Sequence, residues 1–174
     1  MMSLATFTWI HVVISLVGIA SGLVVLFGLL TARRLDAWTI VFLTTTVATS
    51  VTGFGFPFRE FLPSHAVGIV SLIILAVAIP ARYVWHLAGS WRWVYVGGAV
   101  LALYLNVFVL VVQIFLKVPV FNALAPTQTE PPFLFAQALT AALFMALGAL
   151  AVRQFRVQTV VSPSRRPVAG SHAT

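Results

Sequence analysis

The sequence predicts an all-α integral membrane bundle, and three observations carry that prediction. Of its 174 residues, 61% are hydrophobic and 7% charged, with a mean hydropathy of +1.07; a water-soluble globule of this length cannot bury so much apolar surface. The apolar residues come in runs of about 20, the length an α-helix needs to cross a hydrocarbon layer of ~30 Å at ~1.5 Å per residue. The 10 Lys and Arg residues flank those runs and form no stripe interleaved with aromatics, so the partner they imply is the lipid bilayer and no nucleic acid is expected.

Five antiparallel transmembrane helices follow. The first covers residues 7–30, where His11, Ser15, Gly18 and Gly22 fall at i, i+4, i+7 and i+11 on one face. That face is small except for one imidazole, and in lipid a small face is where another helix packs. The run lacks a basic flank before it, is too long, and is followed by no small-residue cleavage pattern, so it is expected to stay in the mature chain and not to act as a cleaved signal peptide. The second span, 37–56, is the most polar, with Thr44, Thr45, Thr46, Thr49, Ser50 and Thr52; hydroxyls that bond back to the preceding turn are tolerated there. The third, 66–87, opens beside His65 and contains Pro80, which is expected to bend it. The fourth, 93–116, carries Gly98, Ala102, Asn106, Val109 and Gln113 on one stripe, and the fifth, 133–152, carries Gln137, Ala141, Phe144 and Gly148. Residues 153–174 read as a disordered cytoplasmic tail.

Arg33, Arg34, Arg82, Arg92, Arg153, Arg156, Arg165 and Arg166 fall on one side of this topology, and only Arg59 and Lys117 on the other. That bias places the amino terminus outside and the carboxyl terminus in the cytoplasm of a bacterial inner membrane. The short inner connections make spans one and two, and three and four, antiparallel neighbours. Of the outer connections, 57–64 is a tight turn with two prolines, and 117–132 has an apolar half suited to capping the outer end of the bundle. No internal repeat of the transporter kind is visible.

The chain has no cysteine, which removes thiolate metal sites, iron–sulfur clusters and disulfides. Its only acids, Asp36, Glu60 and Glu130, fall in loops, so a paired-carboxylate mechanism has no residues to use. What remains is imidazole, carboxamide and hydroxyl. His11, His65, Gln113, Gln137 and Thr52 share the outer third, with Asn106 near mid-depth. Two imidazoles from non-adjacent helices at one depth are what a bis-histidine haem b site needs, with Arg59 and Lys117 at hand for the propionates. A divalent metal on His11, His65 and Glu60, or a quinone pocket built on the same histidines and carboxamides, are variants. The same groups can also be ordinary interhelical glue. His86 belongs with Tyr83, Trp85 and Trp91 to an aromatic belt, and His172 lies in the tail.

The pattern His11-x6-Gly18-x3-Gly22, then Thr52-Gly53, then Ser64-His65, resembles a broad group of small bacterial multi-pass membrane proteins with histidines at helix starts. The resemblance covers the first three spans and implies a haem or metal role. At the start of the second span, where that group tends to carry a histidine, this chain has Asp36, Ala37 and Trp38, which takes away one ligand. The functional expectation is a membrane redox or cofactor-binding subunit with its site at His11 and His65. Its alternatives are a non-enzymatic accessory or assembly subunit, bound to another membrane protein or to a second copy through the small-residue faces, and a small-solute permease.

Overall fold

The computed structural model describes residues 3–56 and 63–155, helical apart from turns and short irregular links. In chain order the helices are α1 (Leu4–Leu30), α2 (Asp36–Gly53), α3 (Pro63–Tyr83), α4 (Trp91–Lys117), α5 (Pro119–Leu124) and α6 (Pro131–Gln154). Four of them, α1, α3 from His65, α4 and α6, are long and apolar enough to cross a membrane, as a multi-pass membrane protein requires. The hydroxyl-rich α2, at 18 residues, falls outside that set.

Helix starts and stops follow local chemistry. Ser3 caps α1 by accepting from the Thr6 amide at 3.1 Å, and Pro131 opens α6 where a missing N–H costs nothing. The third helix ends at Tyr83, earlier than the sequence pattern predicts. Pro80 sits in its last turn, and the chain then passes through left-handed backbone values at His86 (φ 48°) and Leu87 (φ 61°). The apolar half of the 117–132 connection forms α5, an element the hydropathy pattern hides.

α1, α2, α3 and α4 pack as a ring, each against the next, with α2 and α4 also touching across it; α6 lies along α4 and α1. α4 is therefore the common neighbour. Its Tyr95, Val96, Ala102 and Leu103 are almost fully buried, and with Phe42, Leu75 and Phe155 they form the main core. The predicted small faces are the packing faces. A Cβ placed on Gly22 would meet Leu103 at 2.6 Å and Phe42 at 2.8 Å, and one on Gly98 would meet Ala78 at 2.9 Å. A second cluster of Phe115, Ala125 and Phe133 ties α4, α6 and the connection between them together. α5 packs chiefly on α4, so the loop caps the end of its own helix, with Val120 and Leu124 exposed.

Candidate functional site

Because α2 is too polar to sit comfortably in hydrocarbon, where its hydroxyls go decides what the bundle's interior looks like. Several bond back to the preceding turn: Thr45 donates to Val41 O at 2.7 Å and Thr52 to Ala48 O at 2.7 Å. Their oxygens keep a lone pair for a neighbour. Thr52 Oγ1 lies 2.8 Å from His11 Nδ1, Thr49 Oγ1 lies 3.4 Å from the hydroxyl of Ser15, whose own proton goes to His11 O at 2.8 Å, and Thr46 Oγ1 accepts from Asn106 Nδ2 at 3.2 Å. Ser50 donates to Ser71 of α3 at 3.2 Å. One helix thus hydrogen-bonds to three others through uncharged groups.

At the His11 pair the donor is legible. With the Thr52 proton spent on Ala48 O, the imidazole supplies the hydrogen at Nδ1 and leaves the lone pair on Nε2. Phe56 meets the His11 ring edge-on at 5.2 Å between centroids, and Phe7 meets Phe56 at 5.0 Å. His65 is buried and stacks on Phe54 at 5.8 Å, tilted by 20°. The two histidines thus pack against different parts of the same α2 terminus, on α1 and α3, which stand across the helix ring from each other with α2 and α4 between them.

The other anticipated site residues disperse. Asn106 is spent on Thr46. Gln137 is buried on α6, donates to Phe108 O at 3.2 Å, and leaves its Oε1 without a partner among the described residues. Gln113 and Lys117 are exposed on α4, while Arg59 and Glu60 lie outside the described residues. Among the described residues no group of three or more His, Asp or Glu side chains is placed to hold a metal ion.

A second polar cluster, which the hydropathy pattern does not single out, closes the opposite end of the bundle. Arg82, with its side chain 7% exposed, pairs with Asp36, whose side chain is 73% exposed. Its guanidinium also lies 5.0 Å from the Tyr95 ring and 5.6 Å from that of Tyr83. Arg92 donates to the carbonyl of Phe155 and stands over Trp93 at 4.1 Å, and Trp85 stacks on Trp91 at 3.7 Å. The available signal was an arginine inside an apolar run, two residues after Pro80. Comparison with family models, curated proteins and solved structures finds no match for this chain.

Proposed function

We propose that this chain is a multi-pass protein of the bacterial inner membrane acting as a non-enzymatic accessory subunit, with five antiparallel spans, its amino end outside and its carboxyl end in the cytoplasm. The observation that carries this reading is the engagement of the α2 hydroxyls with His11, Ser15, Ser71 and Asn106. Polar groups paired in this way hold helices in register, each contributing about 0.6 kcal/mol on average. They are the groups a cofactor or solute would otherwise use. The same pairing supports counting α2 as a span, since its polar atoms face neighbours and not lipid. Gly18 lies beside Thr45, Gly22 beside Phe42 and Gly28 beside Leu35, a falling register that supports the antiparallel arrangement. The gathering of Arg33, Arg34 and Arg82 around one cavity supports the orientation.

The small-residue faces are occupied within the chain, so contact with another membrane subunit or a second copy falls to the exposed stripe of α6, Phe135, Leu139 and Leu143. Two measurements test the reading. The protein purified in mild detergent should be colourless and metal-free, and a photo-crosslinker at Leu139 in native membranes should give one discrete protein adduct. A Soret band, or a stoichiometric metal, that disappears in His11→Ala or His65→Ala overturns it.

That outcome would install the second reading, a haem b or divalent-metal redox subunit. One observation favours it: a hydrogen bond that fixes Nδ1–H and presents Nε2 is how ligating histidines are commonly oriented. Haem propionates would then draw on Arg59 and Lys117.

A further inference from the structure

One threonine of α2 takes no part in the hydroxyl ladder. Thr39, Thr45 and Thr52 turn their protons back to the preceding turn, onto Leu35 O at 2.9 Å, Val41 O at 2.7 Å and Ala48 O at 2.7 Å, while Thr46 and Thr49 lie against Asn106 and Ser15. Thr44 does neither: it is exposed on the rim of the helix ring, and no hydrogen bond engages its hydroxyl among the described residues. With Ile40, Leu43, Val47, Ile79 and Tyr83 it lines a groove of about 340 Å³ between α2 and α3. The two helices are joined on either side of that gap, by Ser50 on Ser71 and by Asp36 on Arg82. Tyr83, 45% exposed, brings a second hydroxyl to the groove, and no charged side chain is among the residues that line it.

With α2 and α3 both in the bilayer, the groove opens sideways onto lipid, so its occupant arrives from the bilayer and is uncharged. Two hydroxyl donors on an otherwise apolar wall suit a molecule that carries acceptors. Depth narrows the class. Asp36, its side chain 73% exposed, marks the wet end of α2, and Thr44 lies eight residues further on, about 12 Å along the helix. The ester carbonyl of a phospholipid is tethered to a charged headgroup and stays at the level of Asp36; a carbonyl that reaches Thr44 belongs to a molecule whose head is uncharged. We propose that the α2–α3 groove binds the head group of an isoprenoid quinone, its ring carbonyls accepting from the Thr44 and Tyr83 hydroxyls while the tail runs out into lipid. The groove falls within the range of about 300–1,000 Å³ usual for small-molecule sites. The assignment is of binding alone. It rests on α2 being a span, as proposed above, and is independent of whether the chain is an accessory subunit.

The test titrates the full chain in detergent with decylubiquinone, and with decylbenzene as a ring and tail without carbonyls, reading tryptophan fluorescence and the unfolding temperature. Decylubiquinone should quench saturably and stabilise, and decylbenzene should do so far less. Thr44→Val and Tyr83→Phe, which remove only a hydroxyl's hydrogen bonding, should each weaken binding about fivefold, the usual scale for one neutral hydrogen bond. Ile40→Trp, at an exposed position, should fill the groove and abolish binding while the unliganded chain keeps its unfolding temperature. Equal binding of the two probes, or full affinity in Thr44→Val and Tyr83→Phe, makes this a groove for any apolar chain and overturns the quinone assignment. Binding that survives Ile40→Trp overturns it too, by putting the quinone elsewhere. Thr44→Cys, in a chain without cysteine, separates this proposal from the topology: labelling by a water-soluble maleimide in open membranes takes α2 out of the bilayer and removes both, whereas an unlabelled cysteine beside absent quinone binding removes the quinone site alone.

Discussion

Along α2, the C-terminal half from Thr45 to Thr52 meets its neighbours through uncharged hydroxyls, whereas its N-terminal end meets α3 through charge, Asp36 on Arg82. On the proposed five-span topology, depth accounts for the difference. In the hydrocarbon layer an ion pair is expensive to desolvate, while a threonine can bond back to its own helix and still accept from another at little cost. At the helix end Asp36 keeps most of its side chain in solvent, so Arg82 can be buried against Tyr95 with its charge balanced from the wet side. The hydroxyl ladder therefore specifies register with several uncharged contacts, and the N-terminal end does so with one charged one.

The largest expected effect comes from the close approach on which the ladder depends. Gly22→Ala would put a methyl 2.6 Å from Leu103 and 2.8 Å from Phe42, both almost wholly buried and so unable to move aside. Pushing α1 off α2 should cost about 1–3 kcal/mol, the scale of overpacking, read as a lower unfolding temperature in detergent. Gly97→Ala is the control: nothing lies within 4 Å of a Cβ there, and the exchange should be neutral or stabilising by up to about 1 kcal/mol. Equal responses at the two glycines would dissolve the claim that α1 and α2 are locked together.

Next in size is the charged contact. Asp36→Asn leaves a buried guanidinium short of its carboxylate, but the acid is mostly exposed, so solvent already screens the pair. A loss of about 1 kcal/mol is expected, shrinking as salt is raised. A loss that ignores salt would mean that the pair is drier than its exposure implies.

The sequence made the ladder's helix faces legible but not the inner contact, for reasons particular residues show. His11, Ser15, Gly18 and Gly22 recur at helical spacing, and a spacing rule finds the face they share. Which partner each meets depends on how far α2 slides along α1, which no period encodes, and so the imidazole is seen to approach Thr52 only in three dimensions. Nor does equal depth fix proximity, since His11 and His65 belong to helices across the ring from each other. Arg82 reads as a boundary residue because charge marks a membrane edge; that it also lines a cavity with Tyr95 depends on α3 and α4 meeting there. α5 was hidden because six residues that open on a proline, apolar but for Asn122, are too few to show an amphipathic period.

Smaller again is the coupling at the top of the ladder. His11→Ala and Thr52→Val should each destabilise slightly, and a double-mutant cycle should return an interaction of about 0.6 kcal/mol, with about 1.7 kcal/mol as the upper end for such pairs in membranes. A coupling near zero would detach the two side chains and weaken the contrast between the halves of α2.

The smallest effect lies outside the membrane spans, where the comparison has a third member that is charged, exposed and local. Glu130 accepts from the Thr127 amide and hydroxyl at 3.1 and 2.8 Å and from the Thr129 amide at 3.0 Å. Desolvation is the largest single influence and raises its carboxyl, but the hydrogen bonds together outweigh it and hold the group below the ordinary value of 4.5. Because the folded value is the lower one, the contribution to stability is fully present above about pH 4.5, the unfolded value, and is lost as pH falls through the folded value. Hydrogen exchange at the Thr127 and Thr129 amides should therefore show extra protection at neutral pH that fades in acid, and Glu130→Gln should flatten that dependence while leaving the unfolding temperature of the bundle almost unchanged. If acid instead loosened the amides of α1 and α2, the titrating group would lie within the ladder, and its description as a set of uncharged contacts would be wrong.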